Sequence, residues 1–256
     1  MPSPYRFGPT PPAHAITSSA VAGLALYVAV ASWALYEGLF RVPSGEAGIF
    51  GAARVLREPL TATRAAALSH AGIALVANLA GRSLWGPWRG GSRSGRAIAS
   101  PRQPSRALAA TAWALGSLAS GAVVWTAVAA CFGVGALRKP TETAHLGLLL
   151  SSLTVVPGAA MYGCAQEARW EWHRVLVLGD GAFYPRDFVW FGGAWGAALG
   201  AWAGAVAVPL DWGRDWQAWP ITCVVGAAGG HAVGSVLGVL YAAMTGWRRA
   251  RKTKGR

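Results

Sequence analysis

Charged residues are scarce in this sequence, and acidic residues are the scarcest of them. Only 13% of the 256 residues are charged, and ten Asp and Glu stand against 23 Lys and Arg. A disordered chain combines low hydrophobicity with high charge, so this composition excludes that class. Soluble domains have a charged fraction of about 25%, and the charged residues here are too few to cover a water-facing surface. The composition therefore argues against a soluble globular domain.

Cysteine is also rare, and its spacing excludes two kinds of small domain. Cys131, Cys164 and Cys223 lie far apart, and their number is odd. They form neither the C-x-x-C pair of a zinc or redox site nor an even-numbered disulfide framework.

Apolar residues, in contrast, make up 54% of the chain and gather in long runs. A helix needs about 20 mainly apolar residues to cross the roughly 30 Å of bilayer hydrocarbon. Six runs approach this length, although the second is short and carries Ser69, His70 and Asn78. The sequence therefore predicts an all-α, polytopic transmembrane bundle. Its six spans are residues 16–39, 65–81, 108–136, 145–163, 188–210 and 221–244.

The distribution of Lys and Arg predicts how these spans are oriented, because cytosolic loops carry the excess of basic residues. With the N-terminus in the cytosol, 16 of the 23 basic residues fall on the cytosolic side. An even number of spans then places both termini there. The membrane domain would cover residues 16–246, with a basic cytosolic loop at 82–107. A mobile Pro-rich arm at 1–15 would precede it, and a basic cytosolic tail at 247–256 would follow it.

The positive charge, +13 at pH 7, suggests a partner for the cytosolic surface. In a soluble protein such a charge indicates nucleic acid. Here the basic residues stand between apolar runs, which favours anionic lipid headgroups and predicts no nucleic-acid partner.

On the non-cytosolic side of the membrane, residues 47–56 are predicted to lie along the interface as a short amphipathic helix. Glu37, near the end of the first span, is expected to be partly exposed at that interface.

Glycine recurs at every fourth residue in the last two spans. The eight residues are Gly192, Gly196, Gly200 and Gly204 in the fifth span, and Gly226, Gly230, Gly234 and Gly238 in the sixth. A spacing of four keeps each set on one helix face. Because lipid gives no hydrophobic reward for helix association, close van der Waals contact has to supply the attraction. These two glycine ladders predict helix packing, either of the two spans against each other or against a partner protein.

The connection between these two spans is richer than a turn requires. Proline at 209 and 220 can close one helix and open the next. Between the prolines lie aromatic, acidic, basic and amide side chains, at membrane level on the non-cytosolic side. The loop is interpreted either as a structural cap or as a contact surface for lipid or a partner. Its candidate contact residues are Asp211, Trp212, Arg214, Asp215, Trp216, Gln217, Trp219 and Pro220.

Several segments together resemble one known family. They are Gly-Asp-Gly-Ala-Phe-Tyr-Pro at 179–185, the glycine-tryptophan run at 192–204, the order Pro-Leu-Asp-Trp…Trp-Gln-Ala-Trp-Pro at 209–220, and Thr-Val-Val-Pro at 154–157. The last third of the chain, which contains the first three segments, resembles the PIG-F family. It departs from the family pattern at Gly213, where an acidic residue is usual, and at Asp215, where proline is usual.

The resemblance implies a function in GPI-anchor biosynthesis. Members of the PIG-F family are small polytopic subunits of the endoplasmic-reticulum enzymes that add ethanolamine phosphate to mannose of glycosylphosphatidylinositol (GPI) precursors. The chain would be a non-catalytic, stabilising subunit, and its partners would be the catalytic transferase subunits and membrane lipids.

The last five residues bear on the compartment. Lys252 and Lys254 resemble the K-x-K-x-x retrieval signal found on the cytosolic tails of endoplasmic-reticulum proteins. The predicted location is therefore the endoplasmic-reticulum membrane, with several spans, in agreement with the resemblance to the PIG-F family. A basic tail that simply follows the orientation rule is the alternative interpretation.

The residues themselves predict no catalytic site. Phosphoethanolamine transfer calls for a nucleophile and metal ions, and a metal pair needs several clustered carboxylate or His ligands. The predicted lumenal loops have scattered acidic residues and no His, so we predict no catalytic residue, no metal and no cofactor. The alternative function is a lipid carrier or flippase for phosphatidylethanolamine or the GPI precursor. Transporters often have internal repeats. The second and third spans have no glycine ladders that match those of the last two spans, which disfavours the transport alternative.

Overall fold

The computed structural model describes residues 18–40, 54–84, 104–131, 137–162, 185–210 and 213–254, and these ranges contain no strand. The helices are α1 (Ser18–Phe40), α2 (Arg54–Arg57), α3 (Pro59–Leu84), α4 (Pro104–Ala130), α5 (Pro140–Thr154), α6 (Val156–Tyr162), α7 (Pro185–Val206) and α8 (Ile221–Lys254), and a 3₁₀ helix, Asp215–Gln217, precedes α8. The predicted all-α class is confirmed for this part of the chain.

Among the residues that the structure describes, four helices are long and apolar enough to cross a membrane. Their apolar stretches are Ala22–Phe40 in α1, Pro59–Ala77 in α3, Thr111–Ala130 in α4 and Ile221–Met244 in α8. The second predicted span is among them, because α3 is longer at both ends than residues 65–81. α5 has only 15 residues, and Gly and Trp lower the apolarity of the 22-residue α7. Length and composition therefore support four of the six predicted spans directly.

Several helix ends differ from the predicted boundaries. α3 continues to Leu84 and α4 begins at Pro104, so helices occupy both ends of the predicted loop at 82–107. Proline suits the first turn of a helix, because backbone N–H groups there have no intrahelical acceptor and the N–H that proline lacks is not needed. α8 continues through residues 247–254 of the predicted tail, since Arg and Lys are good helix formers and a helix need not stop at the membrane surface. Residues 1–15, 41–53 and 85–103 lie outside the described residues.

The predicted fourth span, 145–163, consists of two helices with a turn at Val155 between them. Pro157 has no N–H, so the helical hydrogen-bond ladder is interrupted there. The backbone still bonds across the turn, from Ala159 N to Val155 O at 2.9 Å. Trp190 of α7 donates from its indole Nε1 to Thr154 O at 2.7 Å. The carbonyl of Thr154, next to the break, thus accepts a hydrogen bond from a side chain of α7.

α7 and α8 are antiparallel and pack backbone to backbone through the glycine ladders. Gly196 lies against Gly230, and Gly200 lies against Gly226. At all eight ladder positions a Cβ would lie closer than 3.0 Å to a backbone carbonyl oxygen of the other helix. Of the two alternatives for the ladders, the structure has the internal one, and both glycine faces are covered within the chain.

A second close contact joins α4 to α5. The missing side chain of Gly121 makes room for Ser151, whose hydroxyl donates to Leu118 O at 2.9 Å. Trp125 donates from Nε1 to the hydroxyl of Thr154 at 2.8 Å. Small residues and hydroxyl groups between helices are the usual means of association in lipid.

The hydrophobic core lies where α1, α3, α5 and α8 approach one another. Leu39, Leu149, Leu153 and Val224 are completely buried members of this cluster. α1 reaches α3 closely at Gly38, because a Cβ there would collide with the backbone of Ala66. The core thereby ties the first helices of the chain to the α7–α8 hairpin.

Gly230→Ala tests the backbone contact between α7 and α8. The added methyl group would collide with the carbonyl oxygen of Gly196, so the helices must separate. Overpacking of this kind costs about 1–3 kcal/mol, and we expect a lower melting temperature for the purified chain in mild detergent. Gly229→Ala is the matched control, since a Cβ at that position meets nothing within 4 Å. Equal melting temperatures for the two variants would contradict the contact.

Candidate functional site

The loop between α7 and α8 is held in place by one buried amide, Gln217. Its Nε2 donates to Ala207 O at 3.1 Å and to Leu210 O, and its Oε1 accepts from the backbone N–H of Arg214 at 3.2 Å. The chain leaving α7 and the chain entering the 3₁₀ helix are therefore fastened to the same side chain. Gly213 has a φ of 61°, a left-handed conformation that favours glycine and explains the residue found there.

The loop has an inward-facing and an outward-facing part. Trp219 donates from Nε1 to the hydroxyl of Thr143 at 3.0 Å, and its ring packs against the core. Pro220 is buried. The exposed charged and aromatic side chains, which we call the outer loop surface, are Arg214, Asp215 and Trp216. The loop is thus anchored by its end and by Gln217, and it presents charge and one indole outward.

Beside its glycines, α7 presents a row of large side chains. This α7 outer face consists of Trp195, Leu199, Trp202 and Val206, which are 44–58% exposed. Their spacings of four, three and four place them on one side of the helix. Tryptophan prefers the membrane–water interface, yet Trp195 lies near the midpoint of α7. The α7 outer face therefore carries an exposed indole far from either end of the helix.

A lateral groove runs between α1 and α3. Its cavity volume is about 1000 Å³. Apolar side chains of α1 and α3 form its walls, and Val189, Trp190, His231 and Ser235 contribute from α7 and α8. The lining extends along α1 from residue 23 to residue 37, which corresponds to about 21 Å at 1.5 Å per residue. The groove is therefore long, mostly apolar and lined chiefly by α1 and α3.

The charged side chains of the groove are confined to one end. Glu37 and Arg54 are the charged residues of the lining within the described ranges, and they lie where α1 ends and α2 begins. Glu37 is half-buried, in agreement with the partial exposure expected from the sequence. The groove is thus mostly apolar along its length and has charged side chains at one end.

Two histidines are in contact beside the groove, which His231 lines, and this contact was not predicted from the sequence. The rings of His70 in α3 and His231 in α8 are 4.8 Å apart and almost perpendicular. His231 Nδ1 lies 3.1 Å from Gly193 O, and because a carbonyl only accepts, Nδ1 carries the proton. Both ring nitrogens of the buried His70 lack a hydrogen-bond partner in the described part of the chain, although the backbone of Ser152 lies nearby. The two residues join α3 to α8 through their rings.

With this geometry in hand, comparison with known proteins identifies the family. The model of the GPI biosynthesis protein family Pig-F matches residues 44–239. This chain belongs to the Pig-F family. The resemblance seen in the last third of the sequence is confirmed, and the match reaches well beyond that third to include α2 and α3, whereas α1 lies outside it.

Curated relatives of this Pig-F family chain are similar over part of their length. A PIGF/3-ketodihydrosphingosine reductase fusion protein of Schizosaccharomyces pombe is 36% identical over 142 residues, 54% of this chain and 26% of the relative. Glycosylphosphatidylinositol anchor biosynthesis protein 11 of Aspergillus fumigatus is 48% identical over 114 residues, 41% of this chain and 33% of the relative.

A human relative is 32% identical over 110 residues, 43% of this chain and 48% of its own length, and is named "GPI ethanolamine phosphate transferase, stabilizing subunit". The chain therefore spans between about a quarter and about half the length of these three relatives. No solved structure matches it.

The structure places the predicted site residues of this family member in different surroundings. The glycine ladders lie between α7 and α8, and the outer loop surface faces outward, whereas Gln217 and Pro220 are buried. Asp211 and Trp212 lie outside the described residues, and Lys252 and Lys254 fall in the last turn of α8. Within the described ranges, no three His, Cys, Asp or Glu side chains are grouped so that they could hold a metal ion.

Gln217→Leu tests the amide that fastens the loop. The substitution keeps the apolar volume but leaves two carbonyl groups and one N–H without their partner, at a cost of about 1–3 kcal/mol. We expect faster amide hydrogen exchange across residues 207–218 of the purified chain. Ala218→Ser, at an exposed position of the same loop, is the control and should exchange as the unmodified chain does. Unchanged exchange in Gln217→Leu would show that the loop is held by something else.

Proposed function

We propose that this chain is a non-catalytic, stabilising membrane subunit of endoplasmic-reticulum GPI ethanolamine phosphate transferase complexes. It would be required for adding ethanolamine phosphate to mannose of GPI precursors. The observation that carries the proposal is the family match over residues 44–239, together with the name of the human relative. In this proposal the catalytic groups belong to the partner subunit, and the chain contributes surfaces that the partner's membrane helices need.

The proposed arrangement has six spans with both termini in the cytosol. α5 and α6 together cover residues 140–162 and α7 covers 185–206, so each would reach about 33 Å at 1.5 Å per residue, enough for the bilayer hydrocarbon. The antiparallel pairs α4–α5 and α7–α8 suit an alternating path across the membrane. The excess of basic residues supports a cytosolic N-terminus, and Lys252 and Lys254 would then serve as a retrieval signal on the same side.

The α7 outer face and the outer loop surface are the proposed contact with the transferase. The two glycine ladders pack against each other, so α7 would contact the transferase through the opposite side of the helix, the α7 outer face. Two exposed tryptophans on that side can supply large contact areas at a low cost in side-chain entropy. The exposed Arg214 and Asp215 extend the same surface beyond the end of the helix.

A lipid carrier is the second candidate function, and the groove between α1 and α3 is the observation that favours it. A path through the bilayer needs polar contacts along its length, because moving a charged headgroup through hydrocarbon is costly. Here Glu37 and Arg54 stand at one end only. This arrangement suits a resident lipid better than a transported one.

Deletion of the chain in its own cell tests the stabilising role. We expect the catalytic transferase protein to decline several-fold while its transcript persists, because unpartnered membrane helices are removed by quality control. Immunoblotting and transcript measurement in the same cells read out the two quantities. Reintroducing the chain should restore the transferase, and unchanged transferase levels and activity after deletion would refute the proposal.

Trp195→Leu combined with Trp202→Leu tests the contact surface. Leucine is equally at home in lipid tails, so a lipid-facing surface should tolerate the change, whereas a protein contact should lose its aromatic anchors. We expect several-fold less transferase to co-purify with the variant in mild detergent. Leu115→Ala with Val123→Ala on the exposed side of α4 is the control and should retain the transferase. Full retention by the tryptophan variant would exclude this face.

A further inference from the structure

We propose that the groove between α1 and α3 binds one phospholipid whose headgroup carries both a phosphate and a primary ammonium group. The lipid would lie along α1 with its headgroup between Glu37 and Arg54. This inference goes beyond the stabilising role, and it does not depend on which protein partner the chain has.

The shape of the groove fits lipid chains of one leaflet. Its length of about 21 Å along α1 exceeds half of the roughly 30 Å hydrocarbon thickness, so acyl chains and the glycerol region both find room. Its mouth is bordered by exposed apolar side chains of α1 and α3. These are Leu26, Val30, Trp33, Leu68 and Val76. A lipid could therefore enter sideways from the bilayer without any rearrangement of the helices.

The charges at the end of the groove select the headgroup. A carboxylate accepts hydrogen bonds from the three N–H groups of a primary ammonium, while a guanidinium donates to phosphate oxygens. Glu37 and Arg54 both line this end of the groove. Glu37 already has one interaction in the protein, but a carboxylate has about four acceptor positions and can also accept from an ammonium group. A choline headgroup has no N–H to donate, and a glycerol headgroup has no positive charge for the carboxylate. A serine headgroup adds a carboxylate that the negative charge of Glu37 would repel. The pair therefore matches an ethanolamine phospholipid.

A hydroxyl group lies at the depth of the lipid's ester bonds. Ser69 lines the groove three residues beyond Ala66, which touches Gly38 beside the charged end. Three residues correspond to about 4.5 Å along a helix. At that depth the hydroxyl of Ser69 can donate to an ester carbonyl, which accepts but does not donate. The order of groups along the groove thus follows the order of groups along a phospholipid.

The same features disfavour a protein helix as the occupant. A partner helix would have to place both an acidic and a basic residue at the charged end, and such residues are rare within membrane spans. A zwitterionic lipid brings both charges in one headgroup. The occupant with matching chemistry is also present throughout the surrounding membrane.

Native mass spectrometry of the purified full chain tests the proposal. Phosphatidylethanolamine, phosphatidylcholine and phosphatidylglycerol with identical acyl chains are added in equal amounts. We expect one phosphatidylethanolamine to be retained about tenfold more than either competitor, the scale of a hydrogen bond between charged groups. Glu37→Gln should remove the preference over phosphatidylcholine and leave the binding of phosphatidylcholine itself unchanged.

Gly72→Leu separates loss of the groove from loss of the fold. Gly72 lines the groove, and a Cβ there meets nothing within 4 Å, so leucine fills the cavity without colliding with the chain. Gly116→Leu is the matched control, since Gly116 is equally unobstructed and lies on α4 away from the groove. We expect about tenfold less bound phosphatidylethanolamine for Gly72→Leu alone, with the melting temperatures of both variants unchanged.

Three results would overturn the proposal. The first is equal retention of the three lipids by the unmodified chain. The second is an unchanged preference in Glu37→Gln, which would refute the role of the carboxylate. The third is a Gly72→Leu variant that binds lipid normally but loses the transferase on co-purification, because the groove would then hold a partner's helix.

Discussion

Backbone contact between α7 and α8 is the constraint on which the rest of the structure depends. In lipid, two helices gain little from burying apolar surface, so their association rests on how closely they pack. Eight glycines leave no side chain at the eight ladder positions, so backbone carbonyl oxygens of each helix lie against the glycines of the other. The resulting hairpin then presents Trp190 to Thr154, His231 to His70 and Trp219 to Thr143. Contacts to the helices α3 and α5 therefore originate from one tightly joined pair.

α7 has two sides with opposite chemistry, and this division supports the proposed role. The side formed by the glycine ladder packs against α8, while the opposite side carries two tryptophans, a leucine and a valine that are exposed. A subunit that stabilises a larger membrane protein needs an outward surface whose shape does not change when the partner is absent. The hairpin meets this need because the loop that closes it is fastened at Gln217 and Trp219. The groove, in contrast, is formed by the more loosely joined helices α1 and α3.

The sequence predicted the helical class and the glycine ladders, because each depends on residues close together in the chain; the contact role of the α7–α8 loop stays a prediction. It left open whether the ladders pack internally, since a spacing of four describes one helix and not its neighbour. The inward turn of Gln217 could not be predicted, because its acceptors at Ala207 and Leu210 depend on how the loop closes. The pairing of His70 with His231 and the groove between α1 and α3 were also missed, since residues far apart in sequence create them. The break at Val155 had a visible cause in Pro157, although proline is tolerated in many membrane helices.

The length of α8 has a consequence for the end of the chain. Its 34 residues extend for about 51 Å, whereas a bilayer with its headgroups measures about 40–45 Å. If α8 starts at one edge of the hydrocarbon, as the proposed topology requires, its basic C-terminal end would extend beyond the far side of the bilayer as a continuous helix. In the proposed topology, Lys252 and Lys254 would lie in the last turn of this cytosolic extension. A receptor for these lysines would meet them on a helical surface at a set height above the membrane, and not on a slack peptide lying against it.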